Sequence, residues 1–194
     1  MYGVLGEDRS DTDMLKELIF SLAGERSLTI KTKGYSSCGE LLTKGARQVA
    51  MFRELGCNKF VICYDSDRDN PANRKASIIN RIIRPSMTNG VFCALVPIQE
   101  IEAWILGDLP AVSNIITGWV PTRNILHPEE ENDPKEFLEK LSRKNQRPRY
   151  SHATHNPRIA KYLNLAIVEA KCPSFRPLVD IVRSGLGNVA LKHA

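Results

Sequence analysis

Three acidic residues stand where chain geometry can make them act together. Glu7 follows a short apolar run, Tyr2–Gly6, and Asp65 and Asp67 follow another, Lys59–Tyr64. If both runs are parallel strands of one sheet, their carboxyl ends share an edge, and residues nearly sixty positions apart become neighbours. In an extended chain residues i and i+2 point the same way, so Asp65 and Asp67 are expected to present their carboxylates together. Grouped carboxylates raise one another's pKa unless a cation lies between them. Hard oxygen donors suit Mg²⁺ or Mn²⁺, which takes one or two carboxylates, waters and substrate phosphate oxygens. The chemistry implied is metal-assisted attack of water on a phosphate ester. The competing reading is plain: Asp is common after strands, and DSDRDNP is also a good turn sequence. Glu7 at an equivalent strand end favours the site.

The elements that must position these acids alternate as in a parallel α/β sheet. After the first strand, Ser10 is the expected N-cap of a helix over 11–23, with Met14, Leu15, Leu18, Ile19 and Leu22 at helical spacing. Residues 27–33 alternate as a second strand. Ser37-x-x-Glu40 has the form of a capping box opening a helix to about Leu55, which Gly56 stops. KFVICY (59–64) is the continuous apolar run of a central strand covered on both faces. A helix over 73–83, ended by Pro85, precedes a fourth strand over 91–96. From residue 98 onward the pattern is helical and interrupted by prolines. The expected architecture is therefore an α/β core, 1–97, with a mostly helical section, 98–194, packed on it.

Composition narrows the setting. No stretch is long and apolar enough to span a bilayer, and the acidic start after six residues does not resemble a secretory signal. Five cysteines (38, 57, 63, 93, 172) without C-x-x-C spacing read as reduced thiols, which fits a cytoplasmic protein. The net charge of +5 hides an asymmetry: residues 143–194 carry +8 and residues 1–142 carry −3. Within the basic part, Arg143, Lys144, Arg147 and Arg149 with Tyr150 form the expected nucleic-acid contact, cations for phosphates and an aromatic for a base. A solvated loop is the simpler reading of such a run by itself. His152 and His155 have a spacing that would suit a metal on a helix, but Pro157 and the polar surroundings favour a loop. Glu129–Glu131 with Asp133 reads as a solvated acidic turn, and Trp104 and Trp119 as core.

VLGEDRSDTDML (4–15) followed by FVICYDSDRD (60–69) resembles the TOPRIM domain, the metal-binding module of topoisomerases, primases and nucleases. In that family a Glu ends strand one, often as E-G-x-x-D, and a D-x-D ends strand three. The resemblance, over residues 1–97, equates Glu7 with the family Glu, Asp11 with the acid four residues on, and Asp65 and Asp67 with the D-x-D. Asp8 stands where many members have Gly, which puts the turn in question and leaves the acids in place. VPIQEIEAWILGD (96–108) and CPSFRP (172–177) are similar to segments of short, stand-alone bacterial TOPRIM-like proteins. That group is related to the nuclease halves of overcoming-lysogenization-defect and Gabija-type antiphage systems, which work with an ATPase. This chain has no Walker A pattern. The E-A-W pattern favours Glu102 over Glu100 as a functional carboxylate. On a helix the two would lie about 200° apart and could not address one ion.

The resemblance thus implies a Mg²⁺- or Mn²⁺-dependent DNA nuclease in which Glu7, Asp65 and Asp67 are catalytic and bind metal. Asp11 and Glu102 complete the metal shell. The alternative is a weakly catalytic or non-catalytic subunit that binds metal and a partner ATPase. A haloacid-dehalogenase-like use of Asp65 ranks last, because that family places its D-x-D after the first strand. No membrane partner is expected, and homo-oligomer formation is left open.

Overall fold

The computed structural model describes residues 1–119, 123–142 and 148–184. Four strands form one all-parallel sheet: β1 (Tyr2–Gly6), β2 (Ile30–Gly34), β3 (Lys59–Cys63) and β4 (Val91–Leu95), in the spatial order β2-β1-β3-β4. The helices among these strands are α1 (Arg9–Ala23), α2 (Cys38–Glu54), α3 (Pro71–Ile78) and the short α4 (Arg84–Ser86). The chain is α/β, as its alternation predicts.

The strand order decides where a site can be built. From β1 the chain runs outward to β2 through α1, then returns past β1 to β3 through α2. Right-handed crossovers in opposite directions put their helices on opposite faces of the sheet. The buried side chains divide accordingly. Val4, Val61 and Cys63 join Met14, Leu15, Leu18 and Ile19 of α1 in one core, while Leu5, Phe60 and Ile62 join Leu41, Val49 and Phe52 of α2 in the other. Between β1 and β3 the two connections leave in opposite directions, opening a crevice at the carboxyl ends of these strands.

Asp8, not Ser10, is the N-cap of α1: its carboxylate accepts the Asp11 N–H at 3.0 Å, and the Asp11 carboxylate accepts the Asp8 N–H at 3.3 Å. Ser10 lies inside the first turn. Ser37 does cap α2 through the Glu40 N–H, yet Glu40 turns to Ser36, so the reciprocal box forms at α1 alone of the two. Pro85 does not end the third helix. The chain widens into a π-helical turn over Ile79–Ile83, which relieves the ring's demand on the preceding turn, and continues through Pro85 to Ser86.

The section after β4 is part of the same body. It comprises α5 (Ala103–Gly107), α6 (Pro134–Ser142), α7 (His152–Ile159), α8 (Leu165–Lys171) and α9 (Arg176–Arg183), with short 3₁₀ turns. Its buried residues, among them Trp104, Ile159, Phe175, Leu178 and Val182, belong to the core on the α1 face. The two segments quoted for their family likeness meet there. Trp104 donates from Nε1 to Ser174 Oγ at 2.9 Å and packs edge-on against Phe175, with centroids 5.0 Å apart. The indole and phenyl rings are fully buried, so Phe175→Ala is expected to cost about 3–5 kcal/mol. Chemical denaturation followed by tryptophan fluorescence measures this, and a loss below about 1 kcal/mol would show that the joint is not part of the cooperative core.

Candidate functional site

The acids at the strand ends meet in the crevice. Glu7 leaves β1, and its Oε1 accepts the backbone N–H of Asp65 at 3.0 Å, tying the ends of β1 and β3 together. Asp65 is half-buried, and its Oδ1 is sealed from solvent with no hydrogen-bond partner. Asp11 points in from the first turn of α1 and is buried. Glu102, 2% exposed, enters from the start of α5. The structure thus brings Glu7, Asp11, Asp65 and Glu102 into one electrostatic neighbourhood, with Asp67 at its rim.

Asp67 reaches that rim differently from the expectation. The backbone is not extended there: Asp67 and Arg68 are left-handed, with φ of 47° and 67°, as is Gln99 at 61°. Each such residue costs about 1–3 kcal/mol, and such strain tends to gather at functional sites. Here it is held by a hydrogen-bonded clamp. Gln99 O accepts from Asp67 N at 3.1 Å, Gln99 Oε1 accepts from Arg68 N at 3.1 Å, and Ser66 Oγ accepts from Gln99 N at 2.7 Å. Arg68 also pairs with Asp133 through two contacts of 2.7 and 2.8 Å, both side chains exposed, so the acidic stretch around Asp133 is solvated as expected and touches this loop. Glu129, from the same stretch, accepts the Ser174 N–H at 3.0 Å.

The electrostatics are those of acids crowded out of water. Burial is the largest influence on every one of them; acidic neighbours add to it at Glu7, Asp11 and Asp65, while Lys135 opposes it at Asp67 and Glu102. Glu7 is pushed up to about 7, with Asp67 and Asp8 adding to the effect of burial while the Asp65 N–H and Arg74 oppose it. Asp11 and Asp65 lie well above the carboxylate range, driven first by burial; Asp8, Glu102 and Glu7 add to it at Asp11, and Asp11, Glu102, Glu7 and Asp67 add to it at Asp65. Glu102 is also raised to about 7. Two cations answer this field. Arg74 lies over the Tyr64 ring, donates to the Tyr64 hydroxyl and to Ser66 O, and faces Glu7. Lys135 faces Glu102, Glu100, Asp11 and Asp8. Burial works against its charge, but their combined field outweighs burial and its pKa is raised.

Glu100 and Glu102 separate as expected, though not as members of one helix. Glu100 turns to α6, accepting the Lys135 N–H at 2.9 Å, and only Glu102 enters the crevice. Among the described residues, no three His, Cys, Asp or Glu side chains form a ready-made metal cage. Of the basic run, Arg143, Lys144 and Arg147 lie outside the described residues. Arg149 is exposed, whereas Tyr150 is 5% exposed and its hydroxyl donates to Asn156 Oδ1 at 2.6 Å. Tyr150 is therefore a core residue and not a stacking platform for bases. His152 and His155 sit on a helix, not a loop, and His155 is buried, its Nδ1 accepting the Ser151 N–H at 2.8 Å. Sequence reasoning missed Gln99, Arg74, Lys135 and Asn156. Only Arg74, on the helix after the D-x-D, carried a local signal.

A family comparison covers nearly the whole of this arrangement: the profile described as a domain of unknown function (DUF4276) matches residues 7–183. The chain belongs to the DUF4276 family. No curated protein and no solved structure matches it. The matched span of this DUF4276 chain runs from Glu7 to Arg183, so it takes in all the acids of the crevice.

The raised carboxyls fix the sign of the pH dependence. Between about pH 4.5 and 7 the folded chain holds protons on Glu7 and Glu102 that the unfolded chain has released, so stability falls as pH rises through this window. Glu102 alone accounts for about 3 kcal/mol of that loss. Thermal melts in EDTA are expected to show a Tm lower at pH 8 than at pH 5. Asp65→Asn should raise the pH 8 value, because it removes a buried charge without changing shape. A Tm that is flat across this range, or lowered by the substitution at pH 8, would mean that the carboxylates are well solvated.

Proposed function

We propose that this chain is a metal-dependent nuclease of the TOPRIM kind, hydrolysing phosphodiester bonds of DNA with Mg²⁺ or Mn²⁺ as cofactor. The observation that carries the reading is Asp65, whose inaccessible Oδ1 has no partner and lies in the field of Glu7, Asp11, Asp67 and Glu102. A buried polar atom left without a partner is costly, and five acids converging on a crevice are costlier still. A divalent cation relieves both, and the hard oxygen donors fit one. Glu7, Asp65 and Asp67 are the residues that would hold it, with Asp11 and Glu102 behind them.

Bound there, such an ion supplies Lewis acidity to a phosphate oxygen and makes a neighbouring water easier to deprotonate. The chain's own groups do the rest. Glu7, oriented by the Asp65 N–H at 3.0 Å, is in place to hold the ion or, in the alternative arrangement, to accept the proton of an attacking water. Arg74 and Lys135 border the same acids and offer positive charge to a phosphate. Arg149 remains available at the surface for the strand's backbone, and Arg143, Lys144 and Arg147 belong to the same proposal. Asp8, which differs from the resembled pattern, has a task of its own as the cap of α1, so its presence does not weaken the reading. The resemblance adds a setting, phage defence alongside a partner ATPase.

Purified protein incubated with plasmid, linear duplex, single-stranded DNA and RNA tests this, with Mg²⁺, Mn²⁺ or EDTA. Cleavage is expected with either metal, to be lost in EDTA and in the Asp65→Ala/Asp67→Ala variant. Equal cutting by wild type and variant sinks the nuclease reading. If Mn²⁺ binds but neither protein cuts until an ATPase partner is added, the chain is the metal-binding subunit of a two-protein enzyme.

A further inference from the structure

The helical section contributes a buried polar chain to the crevice. Tyr150 donates its hydroxyl to Asn156 Oδ1 at 2.6 Å, and Asn156 Nδ2 donates to Glu102 Oε1 at 3.0 Å. Asn156 is fully buried, Glu102 2% exposed and Tyr150 5% exposed, so the bonds are shielded from water throughout. In its ionised form, the one that would hold a cation, Glu102 only accepts, which turns the amide NH₂ toward it and leaves the amide oxygen for the tyrosine O–H. Reversing the amide would set its oxygen against the carboxylate.

Asn156 lies on α7, which packs against α1, and α1 carries Asp11. The amide is therefore held by the same pair of helices that frames one wall of the crevice. An apolar trio would fill the same space without desolvation cost, whereas a fully satisfied polar chain fixes one arrangement of its members. What the polar chain adds is direction: one carboxylate oxygen is pinned, and the rotation of Glu102 is set.

We infer that Tyr150 and Asn156 are positioning residues for Glu102, a relay from the helical section that aims this carboxylate at the acids of the strand ends. The inference rests on the metal reading above and names the residues that complete that site. It gives the segment after residue 148 a role beyond packing: the strand-end site is whole only when α7 is docked.

The test is Mn²⁺ affinity by titration calorimetry, with folding checked by circular dichroism, on wild type, Asn156→Leu, Tyr150→Phe, Glu102→Gln and the two double variants carrying Glu102→Gln. Asn156→Leu is expected to weaken Mn²⁺ binding about 10–100-fold, and Tyr150→Phe to weaken it less, in the same direction. In the Glu102→Gln background neither should weaken it further, because the group they aim is already neutral. Loss of packing alone would instead add to the effect of Glu102→Gln. Should Asn156→Leu fail to fold, Tyr150→Phe, which removes one oxygen, carries the cycle. Folded single variants that bind Mn²⁺ as wild type does, or whose effects add to those of Glu102→Gln, overturn the relay and leave the metal reading standing. A folded wild type that binds no Mn²⁺ overturns both.

Discussion

Like charges brought together out of water are the constraint around which this chain is arranged. Glu7, Asp11, Asp65 and Glu102 converge at the crevice between β1 and β3, with Asp67 at the rim. Each is pushed toward its protonated form first by burial, and Glu7, Asp11 and Asp65 also by acidic neighbours. The nearby structure offsets part of that cost. The α1 capping box uses the Asp11 carboxylate as an acceptor, the Asp65 N–H serves Glu7, Asn156 serves Glu102, and Arg74 and Lys135 supply opposite charge. Asp65 Oδ1 alone among these groups is left sealed and unpaired. Such arrangements cluster at sites where a ligand or a reaction uses them.

The fold explains why the acids converge at all. The order β2-β1-β3-β4 sends successive connections in opposite directions, so the ends of β1 and β3 are not roofed by a crossover. The Ser66–Gln99 clamp then links the loop after β3 to the loop after β4, and Arg68 links it onward to Asp133. Three left-handed residues are the cost of that geometry, and their mutual hydrogen bonds are what keep it in place.

The section beyond β4 is more than cover. Trp104, Ser174 and Phe175 join its two ends on the α1 face, so the segments around EAW and PSF, 70 residues apart, pack as one joint. From that locked position it delivers Glu102, Lys135, Asn156 and Tyr150 toward the crevice. A family match spanning residues 7–183 covers both the acids and the helices that orient them.

Four strands, their parallel arrangement and the acids at their ends were legible in the sequence, because apolar period, strand length and turn chemistry act over a few residues. Where two local signals competed, the sequence misled: Asp8 and Ser10 are both good caps, and only the path of the chain out of β1 chose Asp8. Pro85 reads as a stop, yet packing of Ile82 in the core carried the helix past it through a π turn. Tyr150 reads as part of a cationic surface run, but its contact partner lies on a helix folded back against α1. The sequence by itself determined which residues could do chemistry and on which edge of the sheet they would lie. Tertiary structure alone decided which carboxylates face one another, how Asp67 turns and what holds Glu102. Those answers depend on contacts such as Asn156 to Glu102, made across 54 residues, and short-range rules carry no information over such a distance.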